Sequence, residues 1–422
     1  MALLGLEDFG RLPASVFLLA AARCVNTFGF SLVMPYLAFH LTAHAGVSMT
    51  TVGGIYTVAG VLGAAAQLIG GELSDRLGRR RVMVLTLGLR AFGMAALGLA
   101  LLRSAPLPMI ALLVIINSML RSAFEPAAHA QAAVLTAPAS RAAAFGLQRV
   151  GINLGWALGP ALGGLFASRA FAPMFFAAAW LTLMATAGCA LVPDRPTESA
   201  EPTGGPPGVP GIKEDPLRAP LRLLAVPRPR AFVIFLGSTL LMSILTTQLF
   251  STLSVYAMGR LHIPEARFGL LYTINGAMVV LLQGLGVTLI NRLGLERILL
   301  IGPLCYVTGY LAIGLAGSYG ALGVAVALVT CGELLTEPSE MMAAVALGDP
   351  ARPGRAIGVF GLLSSLGNSL GPSVGALLYD HTAGHPLQLW GTIAVIGLIG
   401  AAGYRAVGAI ETEPRKDLSP AH

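Results

Sequence analysis

The chain has 422 residues, of which 55% are hydrophobic and only 11% charged, with a mean hydropathy of +0.76 and a formal net charge of +7. A water-soluble domain carries about 25% charged residues, so this chain lacks the polar surface needed to face water on all sides. The basic balance fits loop arginines flanking apolar spans rather than a nucleic-acid footprint. The four scattered cysteines, Cys24, Cys189, Cys305 and Cys331, show neither metal-ligand spacing nor a readable pairing.

Taken in order, Met1–Arg11 lacks the basic n-region and small-residue cleavage site of a removable signal peptide, and reads as a cytoplasmic leader. Apolar stretches long enough to cross a bilayer follow at about 14–40, 50–72, 81–102, 108–132, 142–168 and 173–192. Pro193–Arg230 then forms a linker, rich in Pro and Gly (PTGGPPGVPG), and should be flexible. A second set of apolar stretches runs at about 231–257, 267–290, 297–316, 320–345, 356–379 and 387–409. The short alternating strands of a membrane barrel are missing from the pattern. The expected fold is all-α and integral to the membrane, with twelve transmembrane helices in two pseudo-symmetric six-helix bundles. Residues 1–192 form the first bundle, 193–230 a cytoplasmic linker, 231–410 the second bundle and 411–422 a cytoplasmic tail.

Basic residues set the orientation. Arg76, Arg79, Arg80 and Arg81 follow the second span, six Lys or Arg lie in the linker, Arg292 and Arg297 follow the eighth span, and Arg352 and Arg355 follow the tenth. Arg415 and Lys416 in the tail join them, whereas the opposite loops hold only Arg103, Arg169, Arg260 and Arg267. Arginine and lysine favour the cytoplasmic side, so both termini are expected there. The expected location is the plasma membrane, the inner membrane of a bacterium, crossed many times by a monomer surrounded by lipid.

The two halves are related. A shift of 212 positions aligns Glu125-Pro126 with Glu337-Pro338, Pro138 with Pro350, Gly155 with Gly367, Gly159-Pro160 with Gly371-Pro372, and Gly163 with Gly375. A shift of 216 aligns Gly53 with Gly269, Tyr56 with Tyr272, Gln67 with Gln283, and LSDRLG at Leu73–Gly78 with LINRLG at Leu289–Gly294. Parallel six-helix repeats are an established transporter plan, with a site between the halves near the midplane.

After the second span the chain reads GGELSDRLGRRRVMVL. This resembles the signature loop of the major facilitator superfamily, and Gly71, Leu73, Asp75, Arg76, Gly78, Arg79 and Arg80 fill its pattern. The resemblance implies a cytoplasmic latch, with Asp75 against the start of the eleventh span and the arginines tying the halves together. The second copy carries Asn291 in place of the aspartate. The fifth span resembles the family's antiporter motif, with Gly155, Gly159, Pro160, Gly163 and Gly164 in its glycine series. The likeness is greatest to the twelve-span drug:proton antiporters. By that resemblance the first, fourth, seventh and tenth spans line a central cavity.

Ionisable groups within membrane spans are costly and usually face a cavity or a partner. Here they are Arg23, beside Asn26, in the first span, Arg90 in the third, and Arg121, Glu125 and His129 in the fourth. The fifth holds Arg149 near Asn153, and the tenth Glu333, Glu337 and Glu340. Arg121, Glu125 and His129 are spaced by four and share one helix face, which permits a pair between Arg121 and Glu125. Desolvation favours a neutral carboxyl and a neighbouring arginine an ionised one, so a change of access can move a proton. The proton-coupling set is therefore Glu125, Glu333, Glu337, Arg121 and His129. The alternative is a permanent salt bridge locking the fourth span to the tenth or the fifth. Arg90 and Arg149 read as structural or snorkelling. Candidates for the substrate cavity are Arg23, Asn26, Phe28, Phe30, Tyr36, Gln248, Phe250, Tyr272, Glu340, Met341 and Met342, although core or lipid packing suits each of them too.

The expected function is secondary active transport, a proton antiporter exporting amphipathic drug-like compounds by alternating access. No cofactor, metal or nucleic acid is expected; a proton gradient is the energy source, and protons and a small-molecule substrate are the partners. Export or flipping of one metabolite or (lyso)lipid, and proton-coupled import, stay open. The chain shows no metal triad or nucleophile–base set, so it is not expected to be an enzyme.

Overall fold

The computed structural model describes residues 12–137, 140–194, 230–348, 353–382 and 384–412, and is helical throughout these segments. Most of the expected linker, the tail beyond Thr412 and the Pro138–Pro350 match lie outside the described residues. Among the described residues, ten helices are long and apolar enough to cross a membrane. Their outward faces carry Phe92, Leu191, Leu281 and Leu315, each about 70% exposed, while Arg23, Asn26, Arg90 and Glu340 are buried. This distribution inverts that of a soluble protein and suits a lipid solvent.

The helices are α1 (Ala14–Ala43), α2 (Met49–Leu77), α3 (Arg79–Leu102), α4 (Leu107–Leu135) and α5 (Arg141–Leu191), then α6 (Arg230–Thr246), α7 (Glu265–Leu293), α8 (Leu295–Leu315), α9 (Tyr319–Leu347), α10 (Pro353–Thr382) and α11 (Pro386–Thr412). The fifth and sixth expected spans meet at a kink within the 51 residues of α5. α5 consists of two helical parts lying side by side, since Gly151 and Gly188 both approach the Ala20–Ala22 stretch of α1. Helical geometry breaks at Ala170 (φ −150°, ψ 47°), three residues before Pro173. The seventh expected span is also interrupted: α6 gives way to a 3₁₀ turn at Thr247–Leu249, a short helix at Thr252–Val255 and a π turn at Tyr256–Arg260. Here Thr246, Thr247 and Ser251 donate their hydroxyls to the carbonyls of Met242, Ile244 and Thr247. Such local bonds compete with the regular helical ladder.

The internal repeat is visible in the helix boundaries. Both ends of α7 lie 216 residues after those of α2, and both ends of α9 lie 212 after those of α4. The turns correspond too. Gly78 and Gly294 take positive φ values of 95° and 85° immediately before α3 and α8. A side chain at either position would be strained, which accounts for glycine in both copies of the DRLG/NRLG sequence.

The chain divides into two compact units. The first comprises residues 1–47, 54–222 and 254–280, and the second 48–53, 223–253 and 281–422. The first unit's core packs Val16 and Leu19 of α1 against Val82, Met83 and Leu87 of α3, Phe124, Ala127 and Ala128 of α4, and Cys189 of α5. In the second unit, the Tyr306 and Tyr310 rings are stacked at 6.3 Å and Tyr310 stacks on Trp390 at 5.7 Å, joining α8 to α11. Also in that unit, Thr50 donates its amide and hydroxyl to Asp380 at 2.7 and 2.6 Å.

The glycine series performs one task in each unit. A side chain at Gly155 would meet Cys24 O and Phe28 N at 2.8 Å, and one at Gly163 would run into the backbone at Leu32. Gly367 and Gly375 abut Leu240, Ser243 and Gln248 in the same way, which are positions of the matching first helix. Close backbone approach of this kind holds helices together where lipid removes the hydrophobic drive. Polar ties reinforce the contacts. Ser31 donates to Gly155 O at 2.9 Å and Tyr36 to Pro160 O, and Gln248 donates to Gly371 O at 2.9 Å.

Candidate functional site

Four helices of the first unit enclose a cavity of about 260 Å³. Its walls are Arg23, Asn26, Thr27 and Phe30 from α1, Arg90 from α3, Arg121, Glu125 and His129 from α4, and Ile152 from α5. The regular spacing on α4 carries its three groups to one face. The close glycine contacts between α5 and α1 set the back wall.

Within the cavity Arg23, only 2% exposed, forms an ion pair with Glu125 through Nη2. This differs from the expected Arg121–Glu125 pair along α4. A buried guanidinium in a low-dielectric interior needs a counter-charge more than a partly exposed one does, and Glu125 is the carboxylate within its reach. Arg121 instead lies over the Phe30 ring, 4.7 Å from its centre, and Arg90 lies over the same ring at 5.1 Å. Both distances are within cation–π range. Glu125 of the fourth span thus pairs with α1, and not with the fifth or tenth span as the expected lock would have it. His129 Nε2 is 3.8 Å from Glu125, and its ring is about half exposed.

Arg90 is the residue that sequence reasoning undervalued. It was expected to be structural or to snorkel, yet it is fully buried and lines the cavity, donating from Nη1 to Asn26 Oδ1 at 2.6 Å. Position alone could have given this. Arg90 sits 11 residues into the 24-residue α3, roughly 16 Å from its start, too deep for its side chain to reach an interface.

Other expected cavity residues take different places. Tyr36 (1% exposed) and Gln248 (1% exposed) are engaged in the helix ties described above. Phe28 lends its backbone to the contact with Gly155 and Gly159. Tyr272 is buried against Trp156 and Phe268, with ring separations of 6.5 and 5.1 Å. Phe250, Glu333, Glu337, Glu340, Met341 and Met342 do not line this cavity. Met341 and Met342 are exposed on α9. Glu340, on the same helix, is buried and accepts the Tyr404 hydroxyl, which lies 3.3 Å from Thr239 Oγ1. Of the latch residues, Arg76 pairs with Glu72 one turn earlier on α2. Among the described residues no cluster of side chains could hold a metal ion.

Membrane-length helices with an apolar exterior, an internal repeat and a small charged cavity within the first unit define a polytopic membrane protein of the transporter class. The sequence model of the Major Facilitator Superfamily matches residues 19–372 and again 249–420, and the chain belongs to that family of transporters, which are not enzymes. It is 25% identical over 396 residues to the uncharacterized MFS-type transporter YqjV of Bacillus subtilis, covering 92% of this chain and 93% of YqjV. It is 24% identical over 379 residues to the multidrug resistance protein MdtH of Photorhabdus laumondii, covering 88% of each. A crystal structure of a variant of the nucleoside transporter NupG shares the fold with a TM-score of 0.79 at 12% identity, covering 93% of this chain and 99% of that one.

Proposed function

We propose that the chain is a proton-coupled secondary transporter that exports amphipathic compounds from a bacterial cell by alternating access. The observation that carries this reading is the ion pair between Arg23 and Glu125 at the edge of an embedded cavity. A carboxylate held by a guanidinium in a low-dielectric setting releases its partner when it accepts a proton, so proton binding and cavity charge are linked. The multidrug resistance name of MdtH supports a broad amphipathic cargo. In this reading the chain makes twelve crossings, with α5 counted as two segments about Ala170 and α10 included. Both termini are cytoplasmic, and the protein works as a monomer without a cofactor. Asp75 and the arginines at 76, 79 and 80 act as the cytoplasmic latch. Glu333 and Glu337 of α9 take the second-half share of proton handling.

One observation favours proton-coupled uptake as a second reading. Glu125 is already engaged by Arg23, so protonation frees a cationic group, and a proton and an anionic solute would then load together. The direction of proton movement separates the two. Purified protein in vesicles containing a pH-sensitive dye is exposed to a solute placed outside. Export by exchange drives protons outward as solute enters, and co-transport carries both inward. Solute movement that leaves lumenal pH unchanged overturns proton coupling in either form.

A further inference from the structure

The cavity in the first unit has more positive charge than its own carboxylate can balance. Arg23, Arg90 and Arg121 face it together with the single carboxylate of Glu125, and that carboxylate is taken by Arg23. Three donors on buried arginines have no acceptor among the described residues: Nη1 of Arg23, and Nε and Nη2 of Arg90. The Arg90 pair is informative. Nε–H and the adjacent Nη2–H form one edge of the guanidinium fork, the edge that takes a carboxylate in two parallel hydrogen bonds. The opposite nitrogen, Nη1, is fixed by Asn26, and Cζ lies over the Phe30 ring at 5.1 Å from its centre. This arginine is therefore oriented with its bidentate edge unsatisfied. Leaving such donors unmet in the interior of a membrane protein is costly, so the arrangement calls for a ligand oxygen.

The remaining walls indicate the rest of that ligand. Phe30 and Ile152 give an apolar side, and Trp156 meets Phe30 edge-on at 6.0 Å. The volume of about 260 Å³ is just below the low end of drug-sized pockets, enough for a compact ring system.

We propose that this cavity binds the anionic head of an amphipathic solute, its oxygens on the Nε/Nη2 edge of Arg90 and on Nη1 of Arg23, and its apolar body against Phe30 and Ile152. The proposal rests on the reading of the cavity as the solute site, and is independent of the direction of transport. A cation of the same shape would meet net positive charge, with the carboxylate already occupied.

The test is equilibrium binding to the purified full chain in detergent, with no proton gradient present. The probes share one ring system and differ in charge: 2-naphthoate, 2-naphthylmethanol and 2-naphthylmethylamine. Naphthoate is expected to bind about tenfold tighter than the alcohol, and the amine weakest, since a charge-assisted hydrogen bond contributes roughly a tenfold or greater preference. Arg90→Gln should weaken naphthoate by about tenfold or more while leaving the alcohol within about twofold, and Arg90→Lys should fall between. The wild-type comparison needs no variant, so it decides even if Arg90→Gln fails to fold. Dioctanoyl phosphatidylglycerol, run alongside, separates the sources of the anion: tighter naphthoate identifies a free organic acid, and tighter lipid identifies a phospholipid headgroup. Amine or alcohol binding equal to naphthoate, or no naphthoate binding at all, overturns the assignment. Naphthoate binding without proton-driven flux leaves this site in place and refutes the coupling instead.

Discussion

Removing the Glu125 charge while leaving Arg23 in place tests the energetics of the site. In Glu125→Gln a guanidinium that is 2% exposed loses its counter-charge, and one of its nitrogens already lacks an acceptor. Breaking a buried pair from one side costs about 3–5 kcal/mol. Glu125 is 29% exposed at the cavity, so water offsets part of the loss, and the low end of about 3 kcal/mol applies, roughly a hundredfold in the unfolding equilibrium. Arg23→Gln should cost less, because the remaining carboxylate can reach cavity water. In the double variant the two amides can hydrogen-bond, and about 2 kcal/mol of the summed single losses should return as a coupling term. Equilibrium unfolding of the purified protein in mixed micelles, followed by tryptophan fluorescence, gives all four corners of the cycle. Additive single losses, or a Glu125→Gln cost below about 0.5 kcal/mol, would refute the pairing as a source of stability.

Three further outcomes follow from the helix contacts. Gly155→Ala forces a Cβ to within 2.8 Å of two backbone atoms of α1 and should cost about 1–3 kcal/mol, whereas Gly361→Ala, with nothing within 4 Å, should be neutral or better; thermal melts in detergent compare them. Gly78→Ala and Gly294→Ala each place a side chain at a φ near 90° and should lose about 1–3 kcal/mol apiece; a loss at one and not the other would break the structural equivalence of the repeat. Tyr404→Phe removes the hydroxyl that Glu340 accepts within a buried setting and should cost about 1–3 kcal/mol in the same melts, with Glu340→Gln, which retains an acceptor, costing less.

Much of the architecture was legible because lipid imposes simple rules on sequence. Span lengths and the low charge content followed from bilayer thickness, and the 212 and 216 shifts reappear as the matching boundaries of α2 and α7, and of α4 and α9. The expected break between the fifth and sixth spans, at Arg169 and Pro173, falls where the backbone leaves helical geometry at Ala170. Within the site, spacing grouped Arg121, Glu125 and His129 on one face, and all three line the cavity. Spacing cannot choose a partner across helices, however. Arg121 and Arg23 were both available to Glu125, and what separated them was burial, a tertiary quantity. The same limit hid Arg90, whose role depends on Phe30 and Asn26 of α1 lying beside it. Tyr36 and Gln248 looked like ligand contacts because a polar side chain in a membrane span suggests a cavity. Each is engaged instead by a carbonyl in a proline-bearing helix.

The most direct measurement of the central claim is solute flux driven by an imposed pH gradient in proteoliposomes, comparing wild type with Glu125→Gln. A glutamine cannot exchange a proton, so the variant should lose gradient-driven accumulation while still binding solute and equilibrating it down its own gradient. Accumulation by Glu125→Gln equal to wild type would contradict the assignment of proton coupling to this carboxylate.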